Sequence, residues 1–200
     1  MNTPANPKYP PIILASGSQY RRQLLEKLGL SIHCHAPNID ESPQTGESAS
    51  DLALRLSREK ALSLAARYPN TLIIGSDQTA ELAGTILGKP GSIKLSRHQL
   101  QRCSGQEVTF HTGLCLLNTR SKIEHSLTEV VEVGFRELCS QQIDSYINRE
   151  PALDCAGSFK IEGLGISLFR YVRSSDPNTL IGLPLIKLID LLLDEGYPIP

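Results

Sequence analysis

Asp77 is the first residue on which chemistry can be argued. It follows Leu72-Ile73-Ile74-Gly75-Ser76, an uncharged aliphatic run that predicts a strand buried on both faces and ending in a carboxylate. In open α/β sheets ligands bind at the carboxyl ends of strands, which makes Asp77 a catalytic or metal-binding acid where the sheet meets solvent. An Asp that caps the following turn is the competing reading. Asp40-Glu41 lie in the loop from Pro37 to Gly46. Adjacent loop acids are normally just solvated, but one brought beside Asp77 would help hold a divalent cation that neither holds well alone. Lys89 stands between Gly88 and Pro90, where its backbone direction is fixed, a poor use of a residue meant only for solubility. Lys60 shares a helix face with Leu56 and Leu64, and both a structural ion pair and a reach to a phosphate are open to it.

The elements that must position these groups follow from the pattern of apolar residues. Ile12 to Ala15 reads as a buried strand, Ser16-Gly17-Ser18 as a turn, and Gln19 to Leu28 as a helix ended by Gly29. A strand, a small-residue turn and a helix N-terminus present backbone N–H groups to an anion, strengthened by Arg21-Arg22. Consecutive arginines diverge on a helix, so only one of them can face such a ligand; an ordinary turn with a solvated Arg pair remains the alternative. The P-loop pattern GxxxxGK[ST] is absent.

Ser31 to Ala36 predicts a second strand, and Ser48 caps a long helix that Pro69 stops. The central strand is followed by a hairpin from Thr79 to Ile86 with Ala83-Gly84 at its reversal, then by a helix from Ser92 to Cys103. Gln106 to Asn118 and Ile123 to Phe135 predict two long strands, and Ser140 caps a helix to Arg149. Ala156 to Gly165 is glycine-rich and carries Lys160 and Glu162, the latter on composition a surface-loop acid. Ile166 to Val172 reads as a strand, and a last helix opened by Pro184 is apolar nearly all round, hence core.

With 200 residues, 40% of them hydrophobic, and a net charge of −1, the chain can bury the core of one domain or two fused lobes. A flexible head over residues 1–11 and a single domain over 12–200 are expected. No apolar run is long enough for a bilayer and the head lacks a signal peptide's apolar segment, so a cytoplasmic protein with no membrane partner is expected. Balanced charge without a basic stripe argues against nucleic-acid binding. Cys34, Cys103, Cys115, Cys139 and Cys155 are odd in number and lack CxxC pairs, against both a disulfide framework and a structural zinc site. A catalytic thiol is disfavoured too, since Cys155 lacks the arginine spacing of a phosphate-binding cysteine loop, and no Ser sits in a GxSxG elbow.

Leu14-Ala15-Ser16-Gly17-Ser18, Arg21-Arg22, Arg58-Glu59-Lys60-Ala61, Ser76-Asp77, Gly88-Lys89-Pro90, Ala156-Gly157 and Ile181-Gly182-Leu183-Pro184 occur in this order. In that ordered set the chain resembles the Maf family of nucleoside triphosphate pyrophosphatases, from about Ile12 to Glu195. It departs from the family at Gln19, where a proline is common. The resemblance implies an elongated α/β fold of ITPase-like type, with a mixed central sheet flanked by helices and a cleft between two lobes. It implies hydrolysis of a nucleoside triphosphate to a monophosphate and diphosphate. By position Asp77 matches the catalytic carboxylate, Glu41, Lys60 and Lys89 match further active-site residues, and Ser16 and Arg21 match the phosphate-binding turn. A Mg²⁺ or Mn²⁺ ion on Asp77, Glu41 and the phosphates would fit such chemistry.

The resemblance also separates branches. Tyr20, Gln78 and Glu162 look like the branch that cleaves 7-methyl-GTP, where the dTTP and UTP branch has Arg, Thr and Gln. A ring made cationic by methylation at N7 favours an aromatic face such as Tyr20, and a carboxylate at Glu162 can accept from N1–H and the exocyclic amine. Removal of a modified nucleotide before it enters RNA is the expected role. A dTTP/UTP pyrophosphatase, or a nucleotide-binding regulator of cell division without turnover, stays as the alternative, and a homodimer is suggested only by analogy.

Overall fold

The computed structural model describes residues 9–199. Its centre is a seven-stranded sheet in the order β2-β1-β3-β5-β6-β7, with β4 paired to β3. β1 (Ile12–Leu14) is fully buried and parallel to both β2 (Ile32–Cys34) and β3 (Leu72–Leu82). The other pairings, through β4 (Thr85–Leu87), β5 (Glu107–Asn118), β6 (Ile123–Phe135) and β7 (Phe169–Arg173), are antiparallel. The sheet is therefore mixed, and its parallel part is the part that needs helical crossovers.

Those crossovers are α1 (Gln19–Lys27), started by Ser18, whose side chain accepts from Arg21 N–H, and α2 (Ala49–Ala65), started by Ser48, which accepts from Asp51 N–H. α3 (Ile93–Cys103) and α4 (Ser140–Arg149) serve the antiparallel half, and α5 (Leu185–Asp194) closes the chain. The hairpin reversal expected at Ala83-Gly84 is present, with both residues at positive φ (47° and 78°), the pairing a two-residue turn requires.

Two sequence positions set how closely α2 lies on the sheet. A Cβ on Gly75 would stand 2.0 Å from the Ser57 carbonyl oxygen, and one on Gly113 would stand 2.1 Å from that of Ala53. Glycine in these strands thus admits the backbone of α2 directly against β3 and β5. Side chains alternate along β3, so Asp77 shares the α2 face with Gly75, while Ser76 and Gln78 face the opposite side.

The core divides accordingly. Ile12, Leu14, Leu24, Leu25, Leu188 and Leu192 pack one face of the parallel half, and Ile13, Ala61, Leu64 and Ile73 pack the other, under α2. A separate cluster fills the antiparallel half beneath α3 and α4, with Phe110, Phe135, Phe159 and Phe169 in edge contacts at 4.7–5.9 Å. β3 and β5 run through both, and the cleft lies between these two lobes.

Several local expectations need correction. β3 does not end at Asp77; it continues to Leu82, because β5 pairs along its whole length and Ala80 and Leu82 bury in the second cluster. The strand after β1 is shorter than Ser31 to Ala36, and the strand expected from Ile166 begins only at Phe169. Gly163 and Gly165 both donate to the Lys160 carbonyl, and the chain continues from that turn into a 3-10 turn over residues 164–168. Cys139, not Ser140, is the cap of α4. α5 is amphipathic rather than wholly core: Ile186 and Leu193 are about half exposed, since only one face of the helix meets the sheet. Of the head, residues 1–8 lie outside the described residues, while the Pro11 carbonyl accepts from Leu72 N–H. Among the described residues no helix is long and apolar enough to cross a membrane.

Candidate active site

Asp77 occupies a gap in the edge of β3. On one side β5 pairs with the strand throughout; on the other, β1 pairs at residues 72–74 and β4 only from Ala80. The stretch between lacks a strand neighbour, and the sheet opens there as it does at the switch points where α/β proteins bind ligands. The acid is thus exposed to a cleft without standing at a strand end.

α2 carries Lys60 to this gap. Its side chain is 7% exposed and its Nζ lies 2.5 Å from Asp77 Oδ1 and 2.7 Å from Glu41 Oε1. A buried ammonium is tolerable only when paired, and this one is shared by two carboxylates. Burial would raise the Glu41 carboxyl, but the hydrogen bond and charge of Lys60, with Lys89 and Arg21 adding, hold it below the usual range. Lys89 Nζ is 3.9 Å from Glu41 Oε2 and well exposed, free to swing toward a phosphate.

The β1–α1 turn forms the adjoining wall. Ser16 Oγ accepts from Ser18 N–H at 3.1 Å and from Arg21 Nη1 at 3.3 Å. Arg21 Nε donates to the Gly182 carbonyl at 2.7 Å, which also accepts from Ser76 Oγ at 2.9 Å. Burial lowers the Arg21 pKa, against the pull of Asp77 and Glu41. Arg22 turns away, exposed and paired with Glu26 at 2.8 Å, so the arginines diverge as helix geometry requires.

Tyr20 and Glu162 line the same cleft, whose volume is about 670 Å³ and whose walls also include Gln78, Lys160 and Cys155. Gln78 Nε2 donates to Thr112 Oγ1 and to the Thr179 carbonyl, each at 2.9 Å. With its nitrogen committed, Oε1 is the amide atom left for a ligand. Lys160 Nζ sits 5.8 Å from the Tyr20 ring centre and 3.6 Å from Asp154 Oδ1. The Cys155 thiol is pushed up to about 12, by burial and then by Asp154, which leaves it inert as a nucleophile.

Ser16, Arg21, Glu41, Lys60, Asp77 and Lys89, singled out in the sequence, therefore line one cleft, while Arg22 and Asp40 do not. Tyr20, Gln78 and Glu162 line it as well. Nothing in the sequence signalled Gly182's part, a carbonyl that accepts from both Arg21 and Ser76, and Lys160 was given no role, although its spacing of two from Glu162 in a glycine-rich frame was a usable signal. Among the described residues no three His, Cys, Asp or Glu side chains cluster to hold a metal. Two carboxylate groups of hard oxygen are what Mg²⁺ or Mn²⁺ accepts when phosphate oxygens and water complete its shell, so the donor set fits an ion that arrives with a phosphorylated ligand.

Comparison with known proteins agrees in extent. The family described as Maf-like protein matches residues 11–195. A protein of Pseudomonas aeruginosa named 7-methyl-GTP pyrophosphatase is 52% identical over 96% of this chain and 100% of its own length. One of the same name from Nitrosococcus oceani is 48% identical over the whole of both chains. Among solved structures, the Staphylococcus aureus Ham1 protein superposes with a TM-score of 0.51 at 17% identity, covering 93% of this chain and 99% of that one, a likeness of fold.

Proposed function

The chain belongs to the Maf family, and from that premise we propose that it is a nucleoside triphosphate pyrophosphatase that cleaves 7-methyl-GTP to 7-methyl-GMP and diphosphate. The observation that carries this reading is that one cleft is lined both by the cluster of Arg21, Lys60, Lys89, Asp77 and Glu41 and by Tyr20 and Glu162. The role is a house-cleaning one in the cytoplasm, keeping a modified nucleotide out of RNA.

The reaction breaks the anhydride between the first and second phosphates. Arg21, Lys60 and Lys89 offset the charge that spreads over the phosphate oxygens, and the Ser16 turn seats them at the N-terminus of α1. Lys60 occupies Asp77 Oδ1, so Oδ2 is the atom that takes the proton of the attacking water. An ionised Asp is a weak base, and positioning supplies more of the rate than basicity does. A Mg²⁺ or Mn²⁺ ion held by Asp77, Glu41 and the phosphates would supply further charge neutralisation when bound.

At the other end Tyr20 stacks on the cationic ring. Glu162 accepts from N1–H and the exocyclic amine, and Gln78 Oε1 offers a second acceptor. Uracil and thymine would set a carbonyl against Glu162, and a desolvated mismatch of that kind costs on the order of several kcal/mol. The test is diphosphate release from 7-methyl-GTP, GTP, UTP and dTTP with Mg²⁺, for the parent and Glu162→Gln. The parent prefers 7-methyl-GTP and the variant loses most of that lead; a parent preference for UTP or dTTP overturns the specificity while leaving the reaction class intact.

A further inference from the structure

Glu41 stands on an irregular loop, and its side chain is 47% exposed. A single ion pair from the half-exposed Glu41 to Lys60 and a long, exposed one to Lys89 act on the side chain alone and leave the loop's backbone unheld. Something else must fix the carboxylate where it meets Lys60.

We propose that Arg55 is a positioning residue for Glu41, gripping the loop at Ser42, directly after it, and at Glu47, and tying it to the helix that carries Lys60. The inference rests on the reading of Glu41 as an active-site carboxylate. Arg55 Nη2 donates to the carbonyl of Ser42, the residue next to Glu41, at 3.0 Å. On the other flank Asp40 Oδ1 accepts from Ser42 N–H at 2.9 Å, so Glu41 is the middle of a closed three-residue turn.

The same guanidinium holds the loop's far end. Its Nε and Nη2 donate to Glu47 Oε1 and Oε2 at 2.6 and 2.9 Å, the two-pronged geometry in which arginine binds a carboxylate most firmly. Glu47 in turn accepts from Gln44 N–H at 2.9 Å, and its own N–H donates to the Gln44 carbonyl. The third nitrogen, Nη1, reaches Glu59 one turn along α2 at 3.2 Å. The side chains of Arg55 and Glu47 are only 19% and 8% exposed, so this is not a solvated surface pair.

The spacing gives the arrangement its purpose. Arg55 and Lys60 lie about 7.5 Å apart along α2 at 1.5 Å per residue. A loop pinned at Ser42 beside the first can deliver Glu41 only to the neighbourhood of the second. Lysine at position 55 could not reproduce this, since a point ammonium cannot hold a carbonyl and both oxygens of a carboxylate at once.

The experiment is a double-mutant cycle on kcat and KM, with Arg55→Met made in the parent and in Glu41→Gln. In the parent, Arg55→Met lowers kcat by about tenfold or more while KM moves by less than about threefold, and in Glu41→Gln it lowers kcat by less than about twofold. Arg55→Lys recovers only part of the loss. Amide exchange quickens over residues 40–47 and stays unchanged in β3. An equal loss in both backgrounds overturns the proposal, because Arg55 would then act independently of Glu41. Should Arg55→Met not fold, Glu47→Gln takes its place in the cycle, with a weaker loss in the parent that vanishes in Glu41→Gln as support and an additive loss as refutation. A Glu41→Gln enzyme with parent turnover removes Glu41 from the site altogether, a result distinct from additivity.

Discussion

At the acid end of the cleft, Asp77 and Lys60 are 14% and 7% exposed and fixed by a helix whose backbone touches the sheet at Gly75 and Gly113. At the base end, Glu162 is exposed on a segment of 3-10 turns and loop, and Lys160 leans on the Tyr20 ring from across the cleft. The contrast teaches a division of labour. On the proposed reading, the groups that meet developing charge are placed before substrate arrives, as electrostatic stabilisation requires. On the same reading, the groups at the base end govern selection more than rate.

Four substitutions sharpen or break that contrast. The largest effect is expected at Lys60→Met, which removes the ammonium between two carboxylates: kcat falls by about 10²–10³-fold while the ratio of kcat/KM for 7-methyl-GTP over GTP stays near that of the parent. A variant whose ratio collapses with its rate would dissolve the distinction between the ends. Next is Gly75→Ala. Its methyl would meet the Ser57 carbonyl oxygen at 2.0 Å, so α2 must lift, with about 1–3 kcal/mol lost from thermal stability and turnover reduced as Lys60 moves from Asp77. An unchanged Tm would show that the close approach does not set the acid end.

A smaller effect belongs to Tyr20→Ala, which is expected to lower the 7-methyl-GTP to GTP ratio by about three- to tenfold, the worth of a partly desolvated cation–π contact, with little change in kcat for GTP. An unaltered ratio would move base reading elsewhere. The smallest concerns pH. The Glu47 carboxyl is held at about 2 by its hydrogen bond from Arg55. Its folded value lies below its unfolded one, so the pair stabilises the fold above the ordinary glutamate range, and that contribution fades as pH falls from about 4.5 toward 2. The Tm difference between the parent and Glu47→Gln therefore shrinks on acidification, and a difference constant from pH 7 to 3 would contradict it.

Much of this site was legible in the chain because its members lie in short segments whose residue types announce chemistry. Asp77 ends an aliphatic run, Lys89 is framed by Gly and Pro, and Arg21 starts a helix after a small-residue turn. The order of those segments then carried the family resemblance. What stayed hidden acts through backbone contacts between distant positions. Arg21 and Gly182 are 161 residues apart, and nothing local to either betrays the pairing. Gly75 and Gly113 look like ordinary weak points in strands until α2 is laid across them. The length of β3 was misjudged for a similar reason: Gln78 and Thr79 break the apolar pattern, but their strand is kept by β5, which no local window sees. The 3-10 turn at 164–168 comes directly after a tight turn in which the Gly163 and Gly165 N–H groups share the Lys160 carbonyl, and it overrides the β propensity of Ile166.

The central claim is that the acid end performs the chemistry and the base end selects, and the most direct test is Asp77→Asn, measured for both turnover and binding. The account predicts that kcat for 7-methyl-GTP falls by about 10²–10⁴-fold, while the variant binds 7-methyl-GTP with near-parent affinity and still prefers it over UTP in calorimetry. Hydrolysis at the parent rate would contradict the assignment of Asp77, and binding that lost its preference along with turnover would contradict the separation of the two ends.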